Sequence, residues 1–171
     1  MVRSKVGVCD VSTLGKIDIQ GKDAAEFLDL LYINSFANLK VGRVRYGLML
    51  REDGHVMDDG TCARLGDNRY LMTTTTAAAG QVMRHMDFVH QVLRPDLDLS
   101  FVSVTEQWAQ FAVAGPKSRE VLNSILVNNI NNETLPYMGC NEVQIGDVTG
   151  RLFRISFSGE HAYELDVPSR F

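Results

Sequence analysis

Long apolar runs are missing from this chain of 171 residues. No stretch approaches the roughly 20 apolar residues that span a bilayer. The opening residues, Met1-Val-Arg-Ser-Lys-Val-Gly7, carry positive charge but lack the apolar segment of a secretory signal. Cysteine is also scarce. Cys9, Cys62 and Cys140 are widely separated and odd in number, which suits a reducing compartment better than a disulfide framework. These absences lead to the expectation of a cytoplasmic protein with no membrane partner. There is no surplus of positive charge either: 17 Lys and Arg against 21 Asp and Glu leave a net charge of −4. That balance argues against nucleic-acid binding, which needs a basic face to neutralise phosphates.

Several catalytic and cofactor signatures are absent too. Neither G-x-G-x-x-G nor G-x-x-x-x-G-K-[ST] occurs, so a dinucleotide fingerprint and a phosphate-binding P-loop are unsupported. The segment Gly42 to Gly47 holds Arg43 and Arg45 but lacks the required lysine. His55, His85, His90 and His161 never fall into a zinc spacing, and His85 and His90, five residues apart, do not share one helix face. There is no Cys-x-x-Cys, so no metal is expected, and no G-x-S-x-G nucleophile elbow.

What is present is an ordinary globular composition, 45% hydrophobic and 22% charged, in a chain long enough for one domain or two small lobes. Ile17 and Ile19 alternate with polar residues as in a half-buried strand. After Gly21, Asp23 is placed to cap a helix reaching Leu31, with Ala24, Phe27, Leu28 and Leu31 on one face. Gly66-Asp-Asn68 turns into a strand from Arg69 to Thr74. Next comes a helix from about Ala77 to Leu93, carrying Val82, Met86, Val89 and Leu93 and stopping before Pro95. Leu97, Leu99 and Phe101 alternate, and Trp108 to Ala114 reads as a strand. Gly115-Pro116 opens a short helix with proline at its first position. Asn128 to Asn132 is a polar loop, followed by strands Glu142–Ile145, Arg151–Phe157 and Tyr163–Val167. This mixture predicts an α+β fold with mixed, largely antiparallel sheets and flanking helices. The ending, Val167-Pro-Ser-Arg-Phe171, follows a strand so closely that a piece of a longer polypeptide is expected.

The stretch from Val44 to Gly60 carries the strongest chemical signal. It reads as two strands joined at Asp53-Gly54, a pair that supplies the positive φ angles of a tight hairpin. The second strand holds Asp58 and Asp59, which must point to opposite faces. An inward carboxylate beside Val56, Met57 and Cys62 needs a partner or a task. The alternative is a strand end whose acids are solvated or pair with Arg43, Arg45 or Arg64. Thr73-Thr-Thr-Thr76 offers hydroxyls to a polar cleft, or merely strand filling and a cap from Thr76. Glu164, alternating with Tyr163 and Leu165, reads as solvent-facing on pattern alone. Trp108, Met49, Met57 and Met72 read as packing.

Four ordered motifs go further: Gly7-Val-Cys-Asp10-Val-Ser12-Thr-Leu-Gly15, Asp53-Gly-His-Val-Met-Asp58-Asp59, Ala114-Gly-Pro116 and Arg154-Ile-Ser-Phe-Ser-Gly159-Glu160-His-Ala-Tyr-Glu164. Together they resemble the folate-binding part of the aminomethyltransferase family, typified by the T-protein of the glycine cleavage system, over the whole chain, 1–171. Asp10 to Ile17, Arg45 to Gly54, Leu71 to Thr76, Val104 to Ala109 and Leu152 to Phe157 look like the subtype in the C-terminal half of the α subunit of heterotetrameric sarcosine oxidase. T-proteins have Ser-His-Met where this chain has Ser12-Thr13-Leu14.

The resemblance implies that Asp59 sits beside N5 and N10 of tetrahydrofolate and assists attack on a one-carbon unit. It implies that Glu164 hydrogen-bonds the pterin edge, and that Tyr46 and Thr74 lie near the folate, Thr74 replacing an asparagine of T-proteins. It further implies an NAD-binding half upstream, a barrel-like domain downstream, and FAD and FMN with the partner β, γ and δ subunits. The function so implied is one-carbon capture by bound tetrahydrofolate within sarcosine oxidase. A non-catalytic assembly module of the same fold and a glycine-cleavage aminomethyltransferase remain open beside it.

Overall fold

The computed structural model describes residues 2–171. In chain order the first elements are β1 (Gly7–Asp10), β2 (Gly15–Gln20), α1 (Ala24–Leu31), β3 (Arg43–Leu50), β4 (Val56–Gly66), β5 (Arg69–Thr74) and α2 (Ala79–Phe88). They are followed by β6 (Ser100–Ser103), β7 (Trp108–Ala114), α3 (Ser118–Asn123), β8 (Cys140–Ile145), β9 (Val148–Phe153) and β10 (Ala162–Pro168). Every strand pairing among the described residues is antiparallel, so the fold is α+β as the patterning predicts. The chain forms two compact units. One comprises Leu14–Thr105; the other joins the residues up to Thr13 to Glu106–Phe171.

The Leu14–Thr105 unit is a five-stranded sheet in the order β3-β4-β5-β2-β6. Its apolar residues Ile17, Ile19, Met49, Cys62, Tyr70 and Met72 cluster with Phe27 and Leu28 of α1 and Val82 and Met86 of α2. Helix α1 buries Ala24, Phe27, Leu28 and Leu31, the face its spacing predicts. Asp23 does not cap it, however; its carboxylate accepts the Asp98 N–H at 2.8 Å instead. The cap of α2 falls on Ala78 rather than Thr76. The helix ends in a wide turn, Val89–Leu93, that leaves Leu93 57% exposed and off the apolar stripe. This wider winding changes the angular step per residue, which is why the 3.6-residue spacing misplaces Leu93.

Strand β2 also departs from expectation. It is buried on both faces, and its polar residues have partners. The Lys16 ammonium donates to the Leu14 carbonyl at 2.9 Å. The Asp18 carboxylate accepts the Arg69 Nε–H at 3.2 Å and the Gln20 amide at 3.2 Å. The β3–β4 connection is a loop over residues 51–55 rather than a two-residue turn. Only Gly54 has positive φ there, +82°, with its N–H bonded to the Arg51 carbonyl.

The second unit is a five-stranded sheet in the order β1-β7-β10-β9-β8. One face carries Val113, Leu152, Tyr163 and Leu165 against Leu122 and Leu126 in and after α3. Helix α3 begins at Ser118 with Lys117 in the cap position, so Pro116 precedes the helix instead of opening it. The Ser118 hydroxyl donates to the His161 carbonyl at 3.0 Å and ties the helix to the start of β10. Strand β9 stops at Phe153, earlier than the apolar pattern suggests. From there the chain turns aside, and the Met138 and Arg154 N–H groups bond between loops.

The Phe27 ring stacks on Phe101 with centroids 5.7 Å apart and is completely buried. Replacing it by alanine should lower the unfolding free energy by about 3–5 kcal/mol, measured by urea denaturation of the chain. A loss below about 1 kcal/mol would mean this cluster is not the core of its unit.

Candidate functional site

The antiparallel register decides which acid faces which way. Leu48 pairs with Asp59 and Tyr46 with Thr61, while Met49 pairs with Asp58 and Gly47 with Gly60. Residues directly opposite one another share a face. Asp58 therefore lies with Met49 and Cys62 on the helix-covered side, and Asp59 lies with Tyr46 and Thr61 on the other.

Asp58 is 6% exposed. Its Oδ1 accepts the Thr75 hydroxyl at 2.7 Å and its Oδ2 the Thr75 N–H at 3.2 Å. The inward acid is thus a structural anchor that fixes the chain leaving β5. Asp59 is half-buried, and its Oδ2 accepts the Tyr46 hydroxyl at 2.6 Å. No described residue donates to its other oxygen. Neither acid meets Arg45 or Arg64. Arg64 donates to the carbonyls of Leu39, Gly66 and Asp67, and Arg45 to Ser35 and Asn38.

Tyr46 is 48% exposed. The bond to the Asp59 carboxylate, aided by slight burial and by the charges of both acids, raises the phenol above its ordinary range. Tyr46 therefore stays protonated, a donor to Asp59, throughout the neutral range. The two form a diagonal pair on one strand face, a hydroxyl and a carboxylate open to a ligand.

Thr74 is 2% exposed, and its hydroxyl donates to the Thr75 carbonyl at 3.0 Å. It shares the face of Met72 and Cys62, not that of Asp59. The threonine on the Asp59 face is Thr73, whose Oγ1 lies 2.6 Å from that of Thr61. Between these residues Gly60 is required by space. A Cβ there would sit 2.0 Å from the Thr73 carbonyl oxygen, so only glycine lets β4 and β5 approach beside Asp59.

Glu164 belongs to the other unit. It is half-buried in β10, and its Oε2 accepts the Gln110 amide at 2.9 Å. Gln110 is completely buried, and nothing in the sequence pattern of β7 singles it out. On the same face of the sheet Asp166 is completely buried and Arg151 lies over the Trp108 ring, 4.4 Å from its centroid. Trp108 is therefore a platform for a cation as well as packing. Near the chain start, Asp10 Oδ1 accepts both the N–H and the hydroxyl of Ser12, at 2.9 and 2.6 Å. The Gln110 N–H returns to the Ser12 hydroxyl at 2.9 Å. The first motif thus closes onto β7 directly beside Gln110.

An open cleft of about 550 Å³, lined by Leu50, Arg51, Glu52, Asp53, Met57, Gln81 and His85, contains none of these candidates. No group of three or more metal-ligating side chains occurs among the described residues. Among them, too, no helix is long and apolar enough to cross a membrane.

The pattern of the GCVT N-terminal domain matches residues 1–171. The chain belongs to the GCVT N-terminal domain family. It is 55% identical over 172 residues to the sarcosine oxidase subunit alpha of Rhizobium meliloti, covering 99% of this chain and 17% of that protein. It is 45% identical to the corresponding subunit of Corynebacterium sp. strain P-1, over 98% of this chain and 18% of the relative. An aminomethyltransferase of Thermus thermophilus is 32% identical, with 96% of this chain and 45% of the relative covered. The chain therefore spans less than half the length of these relatives. Among solved structures, the glycine cleavage system aminomethyltransferase T from Bartonella henselae superposes with a TM-score of 0.84 at 24% identity, covering 99% of this chain and 44% of that one. A chain of heterotetrameric sarcosine oxidase from Corynebacterium sp. U-96 gives 0.69 at 11% identity, covering 99% and 81%. Both place the GCVT domain fold on this chain.

Two measurements separate the acids. Asp58→Ala should cost about 1–3 kcal/mol of stability, because it strands the two Thr75 donors, whereas Asp59→Ala should stay within about 0.5 kcal/mol. Equal losses in urea denaturation would refute the division of labour. Asp59→Asn should bring Tyr46 back down toward a pKa of about 10, followed by tyrosinate absorbance. Because the folded-state pKa is raised, the stability contributed by the pair is present below pH ~10 and lost as pH rises through the higher folded value.

Proposed function

We propose that this GCVT domain is the tetrahydrofolate-binding, one-carbon-accepting module of a sarcosine oxidase α subunit. In this role it captures the methyl-derived carbon of sarcosine as 5,10-methylenetetrahydrofolate. The observation that carries the reading is the Asp59–Tyr46 pair, a half-buried carboxylate with one oxygen uncommitted on the open face of the β3–β4 hairpin. It sits in a chain whose similarity to the Rhizobium meliloti subunit extends over 99% of its length.

The residues fit a reduced pterin in their donor and acceptor chemistry. Glu164 is a carboxylate in a half-buried strand position, oriented by Gln110. A carboxylate so held is the complement of a ring edge carrying two N–H donors. When bound, tetrahydrofolate supplies nucleophilic nitrogens able to take up a one-carbon unit. Asp59 provides negative charge where positive charge develops and accepts a proton through its uncommitted oxygen. Tyr46 holds that carboxylate in place and keeps its second oxygen turned toward the ligand. Thr74 acts from the helix-covered side, where its bond to Thr75 steadies the segment that Asp58 anchors.

In the whole enzyme the oxidation of sarcosine lies elsewhere. The β, γ and δ subunits and the upstream half of the α subunit are the expected partners, with NAD, FAD and FMN housed there. The module works with them as a cytoplasmic assembly.

Calorimetric titration of the chain with 5-formyltetrahydrofolate should give a dissociation constant near micromolar, about −8 kcal/mol, lost in Glu164→Ala. In the intact enzyme Asp59→Asn should keep folate affinity within a few-fold but lower one-carbon capture by about 10²-fold. Undiminished capture would remove Asp59 from the mechanism. Absence of folate binding in the intact α subunit would leave an assembly module.

A further inference from the structure

An acidic chain has little reason to gather arginines without carboxylates, yet this one does so on the α3 side of β10. The other arginines with charged partners follow the usual pattern: Arg51 with Asp53, Arg69 with Asp18, and Arg94 with Glu26 and Asp96. Arg119 of α3 and Arg154, just after β9, do not. Both donate to the same neutral acceptor, the Asn132 side-chain oxygen, at 2.5 and 2.9 Å. The remaining partners of Arg119 are the Tyr163 hydroxyl at 2.9 Å and His161 Nε2 at 3.3 Å. Arg154 reaches only the Leu135 carbonyl at 3.1 Å besides, and its buried Nε–H has no acceptor. No carboxylate among the described residues lies within ion-pair distance of either guanidinium.

The surroundings hold this geometry rigidly. Tyr163 is 1% exposed, and its hydroxyl accepts from Arg119 while donating to His161 Nε2 at 2.9 Å. Because a guanidinium can only donate, His161 must present a lone pair at Nε2 and carry its proton on Nδ1. Burial, then the charges of Arg119 and Arg154, lower its pKa. Two forked guanidinium groups aimed at one oxygen, with a spare N–H between loops, match the shape of a planar or tetrahedral oxyanion.

We propose that Arg119 and Arg154 form an oxyanion site, for the carboxylate or phosphate group of a small molecule, in which Asn132 holds the place of the anion. Tyr163 and Glu164 are consecutive in β10 and face opposite sides of the sheet, so the site stands apart from Glu164 and does not depend on the folate reading.

The test is an NMR titration of the His161 ring in the full chain with inorganic phosphate and, separately, acetate, each against chloride at equal ionic strength. Phosphate, acetate or both should raise the His161 pKa saturably, since a bound anion offsets the two arginines. The arm that saturates at lower concentration identifies the group. Arg119→Gln should weaken binding by at least about tenfold, the loss of one charge-assisted donor. Asn132→Asp, which fills the site with the chain's own carboxylate, should raise the His161 pKa without added anion and abolish the response. Asn132→Asp also decides the question should Arg119→Gln fail to fold. A response equal to that of chloride, or undiminished binding in Asn132→Asp, would overturn the site.

Discussion

The alternation of β4 at Asp58 and Asp59 is the constraint on which the candidate site depends. Two adjacent carboxylates in a strand cannot share an environment, so one enters the helix-covered side whatever its cost. Here that cost is offset locally. Thr75 offers both its N–H and its hydroxyl to Asp58, which leaves the acid satisfied and unavailable. Asp59 is thereby left on the open side with Tyr46, and only there can a carboxylate meet a ligand. A one-residue slip in the register of β4 would exchange the two and bury the acid that now lies on the open side. Gly60 guards that register, since a side chain at this position would collide with the Thr73 carbonyl.

The other unit handles polar residues differently. Its α3-covered face holds a conventional apolar core around Tyr163, Leu152 and Leu165. The reverse face carries Gln110, Arg151, Asp166 and Glu164, three of them buried. Such groups are tolerated only when their hydrogen bonds are met. The Gln110–Glu164 bond belongs to this polar layer, and it explains why a strand glutamate that looks solvent-facing in the sequence is half-buried and oriented. A carboxylate held by a buried amide is already positioned, so meeting a ligand there costs little reordering.

Much of the architecture was legible beforehand because burial is periodic. The spacing of Ala24, Phe27, Leu28 and Leu31 announced α1 and its buried face, and strands β5 and β7 fall where alternation and turn residues place them. Two of the errors share a cause. Lys16 and Asp18 read as the wet side of β2, but the strand is buried on both faces and Arg69 answers Asp18 from the neighbouring strand. Thr76 and Asp23 read as caps, yet Asp23 turns to Asp98, seventy-five positions away. For Asp18 and Asp23 a long-range partner overrode a local preference.

By itself, the order of residues determined the elements, the α+β class and a short set of acids worth suspecting, because hydrophobic period and turn chemistry are local properties. The four motifs spread along the chain were likewise visible as a family signature. Which aspartate is spent on structure and which remains open was decided only in three dimensions, by the cross-strand register of β3 and β4. The same holds for Gln110 behind Glu164 and for two arginines meeting at Asn132 from α3 and from the end of β9. These are contacts between residues 13 to 54 positions apart, and no local pattern encodes them; the closed sheets do.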